Sequence, residues 1–536
     1  MTIDGFLQFL GLVVAVYALL GVVNRYRLRL LGWWLAAPTV GAFVGSVYLL
    51  FFDVVGARCA GRWCSILELS SASGVTPNRI AFLVVLTWLI YVAALSRWKP
   101  VGPHHLPLLS SLIDRLAAEK RFAELVDFVE PHIELISRCA RRQFRLQKLR
   151  DAIRWQGNPF VALAKPAGPE PTRVEQWRKI GVARALRVMK PLEKLLPQTS
   201  RKQEAALRIL RTVYTNEPLV EFIALERSMF AIRLMEIGGH DYDFGDRAFD
   251  LMMAHPQSQL RRETLLNQNV GLCFYEIDAK NPLIHALFAD AKVAERLEVY
   301  RSIGDYPLRL LRQNVDSYRQ VISASKPPED KLVHADPTYV MIRFFDIMVR
   351  SSMRDEIEWH MWLFYFDILV GKLLQSMDTS HPDYRSNDEL PNLGYYLIYE
   401  IFDAYGDWLR TIECCRENSP VVQIGSTAPV HDNGSILKST ILSIGNSIAH
   451  LLKEEAEERF IIYVLGMLMR TYRDLANRKN GGPRAQEALR RSIIAGGIYG
   501  LEPVHIARLG DCYADIDPLL RFETEDFGDA LQAALQ

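Results

Sequence analysis

The sequence lacks the short motifs that usually carry enzymatic chemistry. It has no G-x-x-x-x-G-K-[ST] loop and no G-x-G-x-x-G run, so the common phosphate-binding loops are missing. No G-x-S-x-G elbow is present, which leaves serine hydrolase chemistry on an α/β sheet unsupported. Neither H-E-x-x-H nor paired C-x-x-C motifs, which typically bind zinc, occur. We therefore predict that the chain is not an enzyme and needs no cofactor.

Charged residues are missing from three apolar stretches near the N-terminus, residues 5–23, 33–52 and 80–95. The first two are long enough to cross about 30 Å of hydrocarbon, and the third reaches that length if it starts near residue 76. Because the spans hold no buried ionisable group, a proton relay, an ion-coupled carrier or a voltage sensor is disfavoured. We predict three transmembrane helices, at about 5–23, 33–52 and 76–95, in contact with the lipid bilayer.

Positive charges beside the spans predict their orientation. Arg25, Arg27 and Arg29 follow the first span, and Arg97 and Lys99 follow the third. Such residues concentrate on the cytoplasmic side of a membrane. We therefore expect a protein of the bacterial inner membrane, with its N-terminus outside and its C-terminal domain in the cytoplasm.

The second span contains small residues spaced one helical turn apart. Ala37, Gly41 and Gly45 follow one another at this spacing, and Ala42 and Ser46 run parallel to them. Small residues let two helix backbones approach closely in lipid. One interpretation is contact between subunits, or a pore, in a homo-oligomer. The other is packing of this span against the other two spans of the same chain.

The seven cysteines fall into two groups. Cys59 and Cys64 lie in the loop that we place outside the cell, where they form either a small disulfide ring or two free thiols. The remaining cysteines are scattered, and we predict that they are reduced core residues. These are Cys139, Cys273, Cys414, Cys415 and Cys512.

Helical periodicity dominates the chain after residue 100, and alternating strand-like runs are nearly absent. The predicted fold class is all-α, with three N-terminal transmembrane helices followed by a large helical cytoplasmic domain. We divide it into a transmembrane domain (1–99), a basic helical membrane-proximal region (100–212) and a helical cytoplasmic domain (213–536). The helical candidates include 203–214, 220–237, 282–300, 306–322, 337–377, 393–418, 436–477 and 483–498. Two apolar runs, at 361–371 and 460–469, are too short to span a bilayer and are predicted to be core helices.

One acidic segment, 238–246, offers a candidate metal site. His240, Asp241, Asp243 and Asp246 could surround a divalent ion, and an adjacent His-Asp pair also occurs in metal-dependent phosphohydrolases. The additional histidines that such a site needs have no definable spacing. A segment rich in Gly, Asp and His between two helices is also typical of an ordinary turn. We keep the metal-dependent phosphohydrolase as an alternative to the prediction of no metal.

The formal net charge of +1 conceals a strongly basic region. Residues 138–211 contain 19 Lys or Arg and 5 Asp or Glu, which gives this stretch a net charge of +14 and the remainder −13. On a helix, several of these cations form one stripe, and a second helix repeats the arrangement. The candidate ligand-binding residues are Arg138, Arg141, Arg142, Arg145, Lys148, Arg184 and Arg187.

Three interpretations of this basic region remain open. It is a solvated face, or one that acidic residues of the same fold neutralise. It contacts the anionic cytoplasmic leaflet of the membrane. It binds an anionic ligand such as a nucleotide or a short oligonucleotide, because the planar guanidinium suits phosphate well.

A small N-terminal membrane bundle joined to a helical domain with a basic region resembles transmembrane effectors of bacterial anti-phage defence. Hailong-type channel effectors, which short DNA oligomers hold in check, are one example. The resemblance implies a homo-oligomeric antiviral effector whose cytoplasmic domain senses an anionic ligand and gates a transmembrane pore. The alternative is a membrane-anchored helical scaffold or receptor that recruits a protein partner, for instance one encoded alongside it.

Overall fold

A computed structural model describes most of the chain and confirms the all-α class for the described residues. The described residues are 33–50, 77–98, 102–141, 200–238, 242–267, 270–271, 273–313, 316–324, 336–357, 363–381, 384, 388–416, 419–422, 435–479 and 481–536. Within these ranges there is no β-strand, and one isolated bridge pairs Val270 with Tyr275. The chain divides into two compact units, Met1–Leu219 and Val220–Gln536.

The first unit begins, in its described part, with a helical hairpin. Its helices are α1 (Trp33–Leu50) and α2 (Pro77–Trp98), at the positions of the second and third predicted spans. The first predicted span, 5–23, lies outside the described residues. No helix in the described part of the chain is both long enough and apolar enough to qualify as a membrane-crossing segment.

The rest of the first unit is a small helical bundle. Ser200 caps α6, because its hydroxyl accepts a hydrogen bond from the Gln203 N–H at 3.1 Å. A core of leucine, isoleucine and valine side chains fills the space between the helices. The helices are α3 (Leu106–Ala118), α4 (Phe122–Val129), α5 (Ile133–Arg141) and α6 (Arg201–Thr215), with 3₁₀ turns at Pro103–His105 and Glu130–His132.

The second unit is built from pairs of packed helices. Carboxylate, amide and hydroxyl side chains cap several of them; Asp336, for example, accepts the N–H groups of Thr338 and Tyr339. The first helices, starting with α7 at the junction of the two units, are α7 (Glu217–Glu226), α8 (Ser228–Gly238), α9 (Tyr242–Ala254), α10 (Gln259–Leu266), α11 (Pro282–Phe288), α12 (Ala291–Arg296), α13 (Val299–Arg312) and α14 (Asp316–Ser323). The later ones are α15 (Pro337–Arg354), α16 (Leu363–Ser376), α17 (Leu393–Thr411), α18 (Ile436–Lys453), α19 (Glu458–Ala476), α20 (Gly482–Ala495), α21 (Pro503–Ala514), α22 (Pro518–Glu523) and α23 (Glu525–Leu535), with 3₁₀ turns at Ile412–Cys414 and Pro420–Val422.

The centre of the second unit is aromatic. The ring of Phe366 stacks on Trp408 with centroids 5.2 Å apart and meets Tyr405 at 5.7 Å. All three side chains are at most 1% exposed. The apolar runs at 361–371 and 460–469 lie largely within α16 and α19, and both helices bury an apolar face, so the prediction of core helices is confirmed for the described residues.

Several helices predicted as continuous are divided. The segment 337–377 forms α15 and α16, and 436–477 forms α18 and α19. The chain turns at Glu356 and Glu455, which adopt the left-handed conformation with φ of 55° and 53°. This conformation costs a non-glycine residue about 1–2 kcal/mol, so tertiary packing must impose these turns.

The prediction that all the later cysteines are reduced is wrong for two of them. Cys273 and Cys414 form a disulfide with a Cα–Cα distance of 6.3 Å across 141 residues of sequence. This distance is within the range that disulfides allow. Cys139, Cys415 and Cys512 are buried and take part in no disulfide, as predicted. Cys59 and Cys64 lie outside the described residues.

Candidate functional site

The hairpin of α1 and α2 presents an apolar outer surface. The two helices pack together, and the Trp88 indole N–H donates a hydrogen bond to the Thr39 hydroxyl at 3.0 Å. Large apolar side chains elsewhere on the hairpin are exposed by 38–63%. They are Val40, Phe43, Val44, Phe82, Leu83, Leu86, Leu89 and Ile90. A cluster of exposed apolar side chains of this kind is unusual on a helix that faces water.

The small residues of α1 divide between two faces. Ser46 is buried, and within the described part of the chain its hydroxyl has no hydrogen-bond partner. Gly41 is exposed, and Gly45 and Ala37 are half-buried. A Cβ atom built at Gly41 or Gly45 would meet none of the described atoms within 4 Å. The packing of α1 on α2 therefore leaves the two glycines open to a further helix.

The start of the predicted basic stripe lies on α5. Arg138 and Arg141 are exposed, whereas Ile136 and Cys139 are buried on the opposite face. The predicted division of this helix into a basic face and an apolar face is thus confirmed as far as Arg141. The other predicted ligand-binding residues lie outside the described residues: Arg142, Arg145, Lys148, Arg184 and Arg187.

The residues of the candidate metal site are only partly described. Asp243 and Asp246 lie in the first turns of α9, and the Asp246 carboxylate accepts a hydrogen bond from the Ser302 hydroxyl at 2.6 Å. His240 and Asp241 fall outside the described residues. No group of three metal-ligating side chains is found among the residues that the structure covers.

A buried charged cluster in the second unit escaped the sequence analysis. We define the charged cluster as Tyr275, Arg343, Asp346, Arg350 and Asp407. Its centre is Asp346 on α15, which is 2% exposed. The Asp346 carboxylate accepts hydrogen bonds from Arg350 Nε at 2.9 Å, from Trp408 Nε1 at 2.8 Å and from the Tyr275 hydroxyl.

Arg350 links the members of the charged cluster. Besides its bond to Asp346, its guanidinium pairs with the Asp407 carboxylate and donates to the Cys273 carbonyl oxygen at 3.4 Å. It also lies over the Tyr275 ring, 5.4 Å from the centroid. Burial opposes the charged form, but Asp346 and Asp407 outweigh burial and raise the pKa of Arg350. Arg350 therefore stays cationic and holds α15, α17 and the turn at Val270–Tyr275 together.

Asp403 lies one turn before Asp407 on α17 and, unlike Asp407, takes part in no ion pair with a described residue. It is half-buried, and no described Lys or Arg lies within ion-pair distance of it. Burial, followed by the charge of Asp407, raises the pKa of Asp403. Tyr399 lies close enough for the charge of Asp403 to raise its pKa, and the Tyr399 ring is 5.8 Å from that of Tyr463. Asp403 is therefore easier to protonate than an exposed aspartate.

The sequence holds a signal for the charged cluster, because charges recur at helical spacing inside apolar helices. In α15 the spacing joins Arg343, Asp346 and Arg350, and in α17 it joins Asp403, Asp407 and Arg410. What it does not reveal is that the two rows face each other. The chain matches no protein-family model, no curated protein and no solved structure.

Proposed function

We propose that the chain is a homo-oligomeric protein of the bacterial inner membrane, in which the N-terminal helices form a pore and the cytoplasmic helical part senses an anionic ligand. The observation that supports this proposal is the apolar outer surface of the α1–α2 hairpin, whose exposed side chains include Phe82 and Ile90. Transferring such side chains from water to lipid is favourable by about 1.5–3 kcal/mol each. The layout agrees with a role as an antiviral effector.

The open glycines of α1 support self-association. In lipid, apolar area alone does not drive helices together, so close backbone contact at small residues becomes the main source of affinity. Gly41 and Gly45 offer such a contact and are not used by α2. The occupant of this face, in our proposal, is α1 of a second copy of the chain.

Leucine at both glycines is expected to abolish assembly and conduction. The variant Gly41→Leu/Gly45→Leu places bulk where the second backbone must approach, so the oligomer fraction in detergent and the potassium flux through reconstituted vesicles should each fall by about tenfold or more. Oligomer mass is measured by light scattering. Flux is measured with and without added nucleotides and short single-stranded DNA.

The matched control is Val40→Leu/Val44→Leu on the neighbouring exposed face of the same helix. It adds apolar bulk without touching the glycine row and should leave both readouts unchanged. A parent protein that is monomeric and never conducts under any of these conditions would contradict the proposal. An oligomer that never conducts, and whose residues 1–99 can be exchanged for another anchor without loss of function, would favour the scaffold instead.

Charge reversal on α5 is expected to weaken binding of an anionic probe. In Arg138→Glu/Arg141→Glu, loss of two charge-assisted contacts should lower the affinity for a short single-stranded DNA by on the order of 100-fold, since each contact is worth about 1.5–3 kcal/mol. The salt dependence of binding should become shallower. Fluorescence anisotropy of a labelled oligonucleotide measures both. Arg484→Glu/Arg491→Glu, an equal charge change on the exposed face of α20, is the control; equal effects of the two variants would show that binding is not localised at α5.

A further inference from the structure

The disulfide between Cys273 and Cys414 lies at the edge of the charged cluster. Cys273 belongs to the tight turn in which the Gly271 N–H bonds to the Phe274 carbonyl at 2.9 Å. Cys414 ends the 3₁₀ turn that follows α17. The bond therefore fastens the turn at Val270–Tyr275 to the C-terminal end of α17.

The segments on both sides of the disulfide contact Arg350. On one side, the Cys273 carbonyl accepts a hydrogen bond from Arg350, and Tyr275, two residues later, donates to Asp346. On the other side, Asp407 on α17 pairs with Arg350. The disulfide therefore joins covalently the same two segments that Arg350 joins through its hydrogen bond and ion pair.

The two cysteines are accessible to a reagent in solution. Cys414 is exposed and Cys273 is half-buried, so an external thiolate can reach the Cys414 sulfur. The neighbouring Cys415 is 7% exposed, and burial raises the pKa of its thiol to about 11. The thiolate is the species that attacks a disulfide, and little of Cys415 is thiolate near neutral pH. Exchange at the Cys273–Cys414 bond therefore depends on a thiol from outside the protein.

We propose that the Cys273–Cys414 bond is a reversible thiol–disulfide exchange site whose reduction by a dithiol loosens the charged cluster. One thiolate of the reductant attacks the Cys414 sulfur, and Cys273 leaves as a thiolate that takes up a proton. The second thiol of the reductant then displaces Cys414 and closes its own disulfide. Two electrons and two protons pass from the dithiol to the protein, and two cysteine thiols result.

Reduction acts on the cluster by removing a constraint. Without the bond, the turn that carries Cys273 and Tyr275 is held to α17 only through non-covalent contacts, which include the pairing of Arg350 with Asp407. Disulfides inside reducing compartments are commonly transient or redox-sensing, a point that applies here only with the cytoplasmic location proposed above. This inference does not depend on the proposed pore or on the ligand bound at α5.

The test uses the full chain in detergent, purified without reductant and exposed to dithiothreitol under native conditions. Maleimide labelling of Cys273 and Cys414, read by peptide mass spectrometry, should rise about tenfold or more after reduction. Cys139, Cys415 and Cys512 should stay unlabelled until the protein is denatured, because they are buried. Labelling of Cys273 and Cys414 before reduction, even after treatment with oxidised glutathione, would overturn the proposal, as would a bond that resists the dithiol until unfolding.

Hydrogen exchange of the same samples tests the link to the charged cluster. Reduction should speed exchange about tenfold in peptides covering 270–275 and 403–414, while peptides from Gly482–Ala495 in α20 stay unchanged. The variant Cys414→Ser should show the reduced pattern without dithiol, whereas Cys415→Ser should keep the dithiol response. If Cys414→Ser does not fold, the reduced parent supplies the same comparison. Unchanged exchange upon complete reduction would show that the bond does not constrain the cluster.

Discussion

Methionine at position 350 is expected to lower the free energy of opening of α15 and α17 by about 3–5 kcal/mol, the usual cost of breaking a buried ion pair by removing one partner. Arg350 is 5% exposed and neutralises both Asp346 and Asp407. In Arg350→Met the volume is largely kept, so the loss is mainly electrostatic. Asp346 would then be a buried carboxylate that has lost its nearest cation and keeps only Arg343, whose Nη1 lies 3.7 Å from its Oδ2.

A double variant separates the buried charge from the packing. Asp346→Asn/Arg350→Met also removes the carboxylate charge and keeps an oxygen that accepts the Trp408 N–H. It should recover part of the lost stability, because the penalty of a buried charge that has lost its nearest cation disappears. If the double variant is as unstable as Arg350→Met, the electrostatic explanation is wrong.

The measurement is native-state hydrogen exchange of amides in Pro337–Arg354, which reports the local opening free energy in the full chain. Arg491→Met is the matched control. Arg491 also pairs with an acidic residue four positions earlier, Glu487 at 2.6 Å, but its side chain is 72% exposed. Exposed pairs contribute about 0.2–1 kcal/mol, so this control should change little.

Asparagine at position 367 is expected to stabilise the second unit by about 2 kcal/mol at pH 7. Asp367 on α16 is 2% exposed, and burial raises its pKa to about 6. It accepts hydrogen bonds from Asn446 at 2.7 Å and from the Ile368 N–H at 2.9 Å, and among the described residues no cation pairs with it. Keeping it ionised costs about 3 kcal/mol at 1.36 kcal/mol per pKa unit, and replacing one acceptor by an N–H donor costs about 1 kcal/mol.

The stability of the parent relative to Asp367→Asn should fall as the pH rises. Because the pKa of Asp367 is higher in the folded than in the unfolded chain, the folded state binds the proton more tightly. Its stabilising contribution is present below about pH 4 and is lost as the pH rises through about 6. The parent should therefore lose stability over this window relative to Asp367→Asn, and the difference should level off above about pH 7.

Hydrogen exchange of Leu363–Ser376 at several pH values, corrected for the intrinsic exchange rate, measures this difference. Asp515→Asn serves as the control, because Asp515 is exposed at the end of α21. Subtracting the opening free energy of the parent from that of the variant cancels the contributions of other titrating groups. One of these is His450, because burial lowers its pKa. A difference that stays constant between pH 4 and 7 would show that Asp367 is not the group responsible.

Local pattern predicted the helical class well. The apolar spacing of α16 and α19 and the two faces of α5 follow from contacts at i, i+3 and i+4, which depend only on neighbouring residues. The charge rows of α15 and α17 belong to the same local information and were visible in the same way. Helix class and helix faces are therefore properties of short segments.

Helix ends and long-range pairs needed the folded chain. Glu356 and Glu455 adopt the left-handed conformation after α15 and α18 without being glycine, so the periodic pattern predicts one helix where two exist. The meeting of Arg350 with Asp407, and the bond between Cys273 and Cys414, join residues 57 and 141 positions apart. Composition and spacing do not show which distant residues will pair. The energy of such a pair depends on burial and on which helix faces meet, and both are decided only when the helices pack.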